Sequence, residues 1–157
     1  MKKHLSVLLV FFICLISCTN KQQMDEQTRV AKPIEGTWKL LTGTVIEKGD
    51  TTITDYTKDR SFIKIINDSL FAFLLHDLGK GKDSAAAAFT AGGGSYSLSG
   101  NSYTEHLEYC SVREWEGHDF TFAVTIGNDT LVQTGVEKIE AQGIDRINTE
   151  KYIRYKE

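Results

Sequence analysis

From Ile34 onward, apolar and polar residues alternate in short runs, and most runs end in Asn, Asp or Gly. "GTWKLLTGTVIE" opens the series and "KGD" turns it; "FIKII" follows after a variable stretch. Asn67-Asp68 leads into "SLFAFLLHDL", and Gly100-Asn101 separates "GSYSLS" from "SYTEHLEY". Gly127-Asn128-Asp129 separates "DFTFAVTI" from "TLVQTGVE", and "KYIRY" comes last. A period of two is the mark of a half-buried strand, and these turn residues tolerate the positive φ of tight hairpins. "DSAAAAF" (Asp83–Phe89) reads as one to two helical turns or as a loop. The expected fold is therefore all-β, an up-and-down antiparallel β-barrel of about eight to nine strands, with a β-sandwich as the second choice. A sheet that closes on itself has no free edges, and eight strands leave room for side chains or one small ligand.

The alternation also sorts faces. Tyr103, Glu105, Leu107 and Tyr109 share one side of their strand, and Phe120, Phe122, Val124 and Ile126 share one side of the next. Both sets are expected to face the interior. In the following run, Leu131, Gln133 and Gly135 oppose Val132, Thr134 and Val136, and pattern alone leaves the inner set open. An inward Glu105 cannot stay bare, because an unpaired buried carboxylate costs several kcal/mol. Its candidate partners are Tyr103, Tyr109, Gln133, Arg113 and Arg154. Two roles compete: a structural polar network, or the mouth of a pocket walled by Phe71, Phe73, Phe120 and Phe122.

Residues 1–17 have a different character. Lys2 and Lys3 precede an apolar run of 13 residues, Leu5 to Ser17. That is short for a membrane span, which needs about 20 residues, and suits a signal peptide. Leu15-Ile16-Ser17-Cys18 resembles the lipobox of bacterial lipoproteins, which implies cleavage before Cys18 and lipidation of its sulfur. Several acyl chains would then anchor the protein to a membrane. Residues 18–33, polar and ending at Pro33, read as a lipidated cysteine with a flexible tether, and residues 34–157 as the barrel domain. Asp25-Glu26 faintly resembles an acidic surface-export signal. The expected location is the outer membrane, on its periplasmic leaflet or at the cell surface.

Processing would remove two lysines and no acids, taking the formal charge from −3 to −5. No basic cluster suits a run of phosphates, so nucleic acid is not an expected partner. Cys110 would be the only unlipidated cysteine left, which excludes a disulfide framework and reads as a small buried hydrophobe.

A family likeness rests on particular residues. Gly36-Thr37-Trp38 resembles the G-x-W of lipocalins and related calycin barrels, and Arg154 occupies the place of an Arg that packs on that Trp. "GGGSYSLSGNSYTEHLEY", "GHDFTFAVTIGNDTLVQTG" and "EKYIRY" look like the lipocalin-like domain of small bacterial lipoproteins, from Ile34 to Tyr155. Asn128 departs from that domain's G-D turn, and the further lipocalin signature motifs are missing. The resemblance implies a closed barrel, an inward Gln133, and a Trp38–Arg154 closure of one end. It implies no mechanism.

Other chemistry has little support. His76, His106 and His118 have no metal-ligand spacing, "HDLGKGKDS" lacks P-loop spacing, and "GGGSYS" is not a nucleophile elbow. No cofactor or metal is expected. The expected function is a membrane-anchored lipocalin-like lipoprotein. Its lumen would bind a small, partly apolar ligand through Tyr103, Glu105, Tyr109, Gln133 and the four phenylalanines. The alternative is a structural or protein-interaction lipoprotein with a filled barrel. An enzyme is not expected; one using Glu105 as general base is the weaker, third alternative.

Overall fold

The structure is a computed structural model describing residues 32–156. The expected signal segment 1–17, the expected lipidation site Cys18 and nearly all of the expected tether 18–33 lie outside the described residues. Nine strands follow one another: β1 (Gly36–Glu47), β2 (Asp50–Asp55), β3 (Arg60–Ile66), β4 (Leu70–Asp77), β5 (Phe89–Ser99), β6 (Ser102–Cys110), β7 (His118–Gly127), β8 (Thr130–Ile139) and β9 (Ile144–Arg154). All neighbours are antiparallel. β3 to β9 form a meander, and β1 pairs with β3 on one side and β9 on the other. The result is a closed eight-stranded up-and-down barrel, with β2 as an extra strand folded back on the upper part of β1. The lipocalin-like expectation is supported at this level, that of a calycin-like closed barrel.

Turn chemistry sets the registers. Lys48 and Gly49 both have positive φ (53° and 89°), as do Asn128 and Asp129 (49° and 59°). These are two-residue turns whose twist matches that of the flanking strands. Gly127 pairs with Thr130, so the inserted Asn128 occupies a turn position and Gly127 becomes a strand residue. "DSAAAAF" is not a helix. Asp83 folds it into turns, its carboxylate accepting the Ala85 N–H at 3.0 Å, and β5 begins at Phe89.

The barrel has a closed and an open pole. Ile34, Trp38, Leu40, Ile66, Tyr96, Tyr103, Leu131 and Tyr152 pack the closed end. The Trp38 indole N–H donates to the Ile34 carbonyl at 2.8 Å, and the Arg154 guanidinium lies 4.1 Å above the indole centre. Arg154 also donates to the carbonyls of Glu35 (2.8 Å) and Pro33 (3.0 Å), tying the incoming chain across the pole. The Arg154 guanidinium thus stacks on the Trp38 ring, a contact worth about 0.5–2 kcal/mol.

Two bulges modify the alternation. Leu41 is an extra residue of β1 against β9, and Glu108 an extra residue of β6 against β5. A bulge inserts one residue and flips the faces beyond it. Cys110 therefore turns inward, while Tyr109 points out and is 69% exposed. This corrects the inward placement of Tyr109. The Glu108 carboxylate holds the bulge by accepting the Ser95 N–H (3.0 Å) and hydroxyl (2.6 Å).

Candidate functional site

Half-way up the lumen, five side chains from four strands form a polar floor. Lys64 of β3 points inward between Phe62 and Ile66. Its ammonium lies 2.6 Å from the Glu105 carboxylate of β6 and 3.1 Å from the Gln133 carbonyl oxygen of β8. The Gln133 amide donates to Glu150 of β9 at 2.8 Å, and the Tyr152 hydroxyl donates to the same Glu150 oxygen at 2.6 Å. Lys64 stands 3.9 Å from that oxygen. Lys64 and Glu105 are only 2% and 6% exposed, so this is a buried ion pair.

Desolvating two charges costs several kcal/mol each, and the surroundings must offset it. Here Gln133 supplies a further acceptor, and rings of Phe71, Tyr103, Phe122 and Tyr152 surround the ammonium at 5.5 to 6.0 Å. Each presents a negative face to the cation. Burial pushes the Glu105 carboxyl upward while the Lys64 charge pulls it down, and burial prevails. Burial also pushes the Tyr103 and Tyr152 hydroxyls far up, so both remain protonated. Tyr152 uses its proton on Glu150. The Tyr103 hydroxyl lies beside Glu105, yet among the described residues it is a buried polar atom without a hydrogen bond.

Above this floor the barrel is hollow. A cavity of about 370 Å³ opens toward the upper pole, lined by Phe62, Phe73, Leu75, Leu107, Phe120 and Phe122 around the polar floor. Gly92 of β5 makes room for one wall: a Cβ there would come within 2.5 Å of the Phe73 ring. A second polar cluster stands on the β8–β9 wall. Arg146 donates to Glu137 through Nε (2.7 Å) and meets it through Nη2 (2.6 Å), and the Asn148 amide donates to the other Glu137 oxygen at 2.8 Å. The Arg146 guanidinium lies 5.1 Å from the ring of Trp115, which belongs to a single 3-10 turn, Arg113–Trp115, above β6.

Glu105, Gln133, Phe73, Phe120 and Phe122 thus meet at one cavity. Tyr103 and Phe71 face the lumen but belong to the packed half beneath the floor, outside the cavity lining. Tyr109 is outside altogether. Arg113 pairs with Glu116 at 3.1 Å on the exterior and Arg154 serves the closed pole, so neither reaches Glu105. Cys110 is free and buried in the cavity wall.

In sequence, the chain matches no protein-family model and no curated protein. The site must speak through its own geometry.

The residues missed in sequence were Lys64, Glu137, Arg146, Asn148, Glu150 and Trp115. Around Lys64 the outward residues are Ile63 and Ile65, so the apolar count favoured the wrong face. The early half of β9, "IDRIN", likewise puts Arg146 and Asn148 inward and Ile147 outward. Buried charge reverses the usual hydrophobic code, and only the partner strands reveal it.

Among the described residues no group of three His, Cys, Asp or Glu side chains could hold a metal ion. His106 instead meets Asp119 at 2.8 Å on the outer face.

Proposed function

We propose that this chain is a lipid-anchored binding protein of the cell envelope, holding a small, partly apolar molecule in the open half of its barrel. The cavity is the observation that carries this reading. Its volume of about 370 Å³ falls within the range of about 300–1,000 Å³ common for small-molecule sites. Its walls are aromatic and aliphatic, and its polar groups form two clusters, the floor around Lys64 and the Glu137–Arg146–Asn148 group on the β8–β9 wall, which could orient a ligand. The proposed lipid anchor at Cys18 fits the same geometry. Lys32, where the described chain begins, lies at the closed pole, its ammonium 2.7 Å from the Asp68 carbonyl. The mouth then opens on the side away from the tether.

A second reading has one observation in its favour. The floor is largely satisfied by its own members, so the barrel needs no ligand to be stable. A structural or protein-docking lipoprotein would follow. Catalysis through Glu105 is a weaker reading still, because its carboxylate is held by Lys64 rather than poised beside a nucleophile or a water path.

Native mass spectrometry of the protein isolated from its own host separates these readings. A discrete added mass on the native chain, absent from a Cys110→Trp variant whose indole fills the cavity, is the expected result. A bare mass in both proteins would favour the filled, structural role.

A further inference from the structure

The cavity carries an imbalance of charge. Its lining residues of the Lys/Arg and Asp/Glu types are Lys64 and Arg146 against Glu105, Glu137 and Glu150. Arg146 is committed to Glu137 through two contacts, and Lys64 lies closest to Glu105. Glu150 is the carboxylate left over. One of its oxygens accepts from Gln133 and Tyr152 and lies at the long distance of 3.9 Å from Lys64. No hydrogen bond between described side chains reaches its other oxygen. Glu150 is also the most accessible member of the floor, its side chain 15% exposed against 3% for Lys64 and 8% for Glu105.

A chamber of low polarity with one uncompensated negative charge discriminates by ligand charge. An incoming carboxylate would add a second unmatched anion and meet no free cation. An ammonium group would complete the charge balance, donate to the open Glu150 oxygen, and rest among the Phe rings, which also favour cations. We infer that the lumen selects a small amphiphile carrying a primary-amine or similar cationic head, with an aromatic or short aliphatic body against Phe62, Phe73 and Phe120, and that Glu150 is the residue that reads the charge. This inference rests on the proposed ligand-binding role of the cavity.

Three probes of one shape test it: 2-phenylethylamine, 2-phenylethanol and 3-phenylpropionate, cationic, neutral and anionic at pH 7. Isothermal titration of the full chain in phosphatidylcholine nanodiscs, with empty discs as blank, reads each affinity. The amine should bind about ten- to a hundredfold tighter than the alcohol, the gain of one charge-assisted hydrogen bond, and the acid should bind weakest. Glu150→Gln keeps the shape and removes the charge, so it should abolish the amine's advantage and bring amine and alcohol to similar affinities. An unaltered circular-dichroism melt would confirm that variant's fold. An acid that binds as well as the amine, or an amine preference that survives Glu150→Gln, overturns the inference and leaves the binding role standing. If none of the three binds, the binding role itself fails and takes the inference with it.

Discussion

The two halves of this barrel are built from the same strands and do opposite things. Below the floor, large rings interlock: Trp38, Tyr103 and Tyr152 are all fully buried, and Phe71 is 3% exposed. Above it, residues of the same strands, including Phe62, Phe73, Phe120 and Arg146, stand around empty space. The difference comes from what each strand places at each level. Towards the closed pole, rings and aliphatic chains of Trp38, Leu40, Phe71, Tyr103, Leu131 and Tyr152 fill the interior. Towards the open pole, Gly43, Thr54, Thr90 and Cys110 leave the large residues without partners. The ion pair of Lys64 and Glu105 is the partition between them.

Substitutions should separate the halves by cost. Trp38→Ala removes a fully buried indole, its hydrogen bond and the Arg154 stack, and should cost about 3–5 kcal/mol in denaturant melts. Lys64→Met should cost about as much at pH 7, because it leaves Glu105 buried without its cation. That loss should shrink in acid, where the carboxyl is neutral, and a second change, Glu105→Gln, should recover most of it. If the single variant is as stable as the parent, the partition is not an ion pair. In the upper half, Phe73→Ala enlarges a cavity that already exists and should cost less, about 1–2 kcal/mol, despite deleting a whole ring. A cost equal to that of Trp38→Ala would mean that the upper half is packed.

A smaller effect lies in the pH profile. The folded Glu105 carboxyl is raised above its ordinary value of 4.5. As pH climbs past that value the unfolded chain releases its proton first, so Glu105 takes stability away until its own higher range is passed. The exposed carboxylates act in the opposite direction. Asp55 is held down to about 2 by the hydroxyl and amide of Thr57, so its contribution is present above 3.8 and is lost as pH falls toward about 2. Glu105→Gln should flatten the decline above pH 4.5 and leave the acid limb unchanged. A decline that persists in the variant would assign it to other groups.

Much of the fold was legible because hairpin chemistry and period-two alternation are local. The turns at Gly100-Asn101 and Gly127-Asn128-Asp129 (the last tightened to Asn128-Asp129, with Gly127 in the strand), the inward run of Phe120, Phe122 and Val124, and the Trp38–Arg154 pair all follow from neighbouring residues or a family likeness. What escaped was non-local. β2, "DTTITD", is exposed along most of its length and has no buried face to betray it, although its threonines and isoleucine suit a strand. The Glu108 bulge changes the face of Tyr109 with no local signal except the glycine tract opposite. Glu105 was rightly placed inside, but its partner lay on a strand where isoleucines face solvent.

On the proposed binding role, ligand space lies only above the Lys64–Glu105 partition. Ring-proton NMR of the isotopically labelled protein, titrated with 2-phenylethanol, tests this most directly. Shifts are expected at Phe62, Phe73 and Phe120, with Phe71 and Tyr103 unmoved. Shifts beneath the floor, or none anywhere at saturating probe, would contradict it.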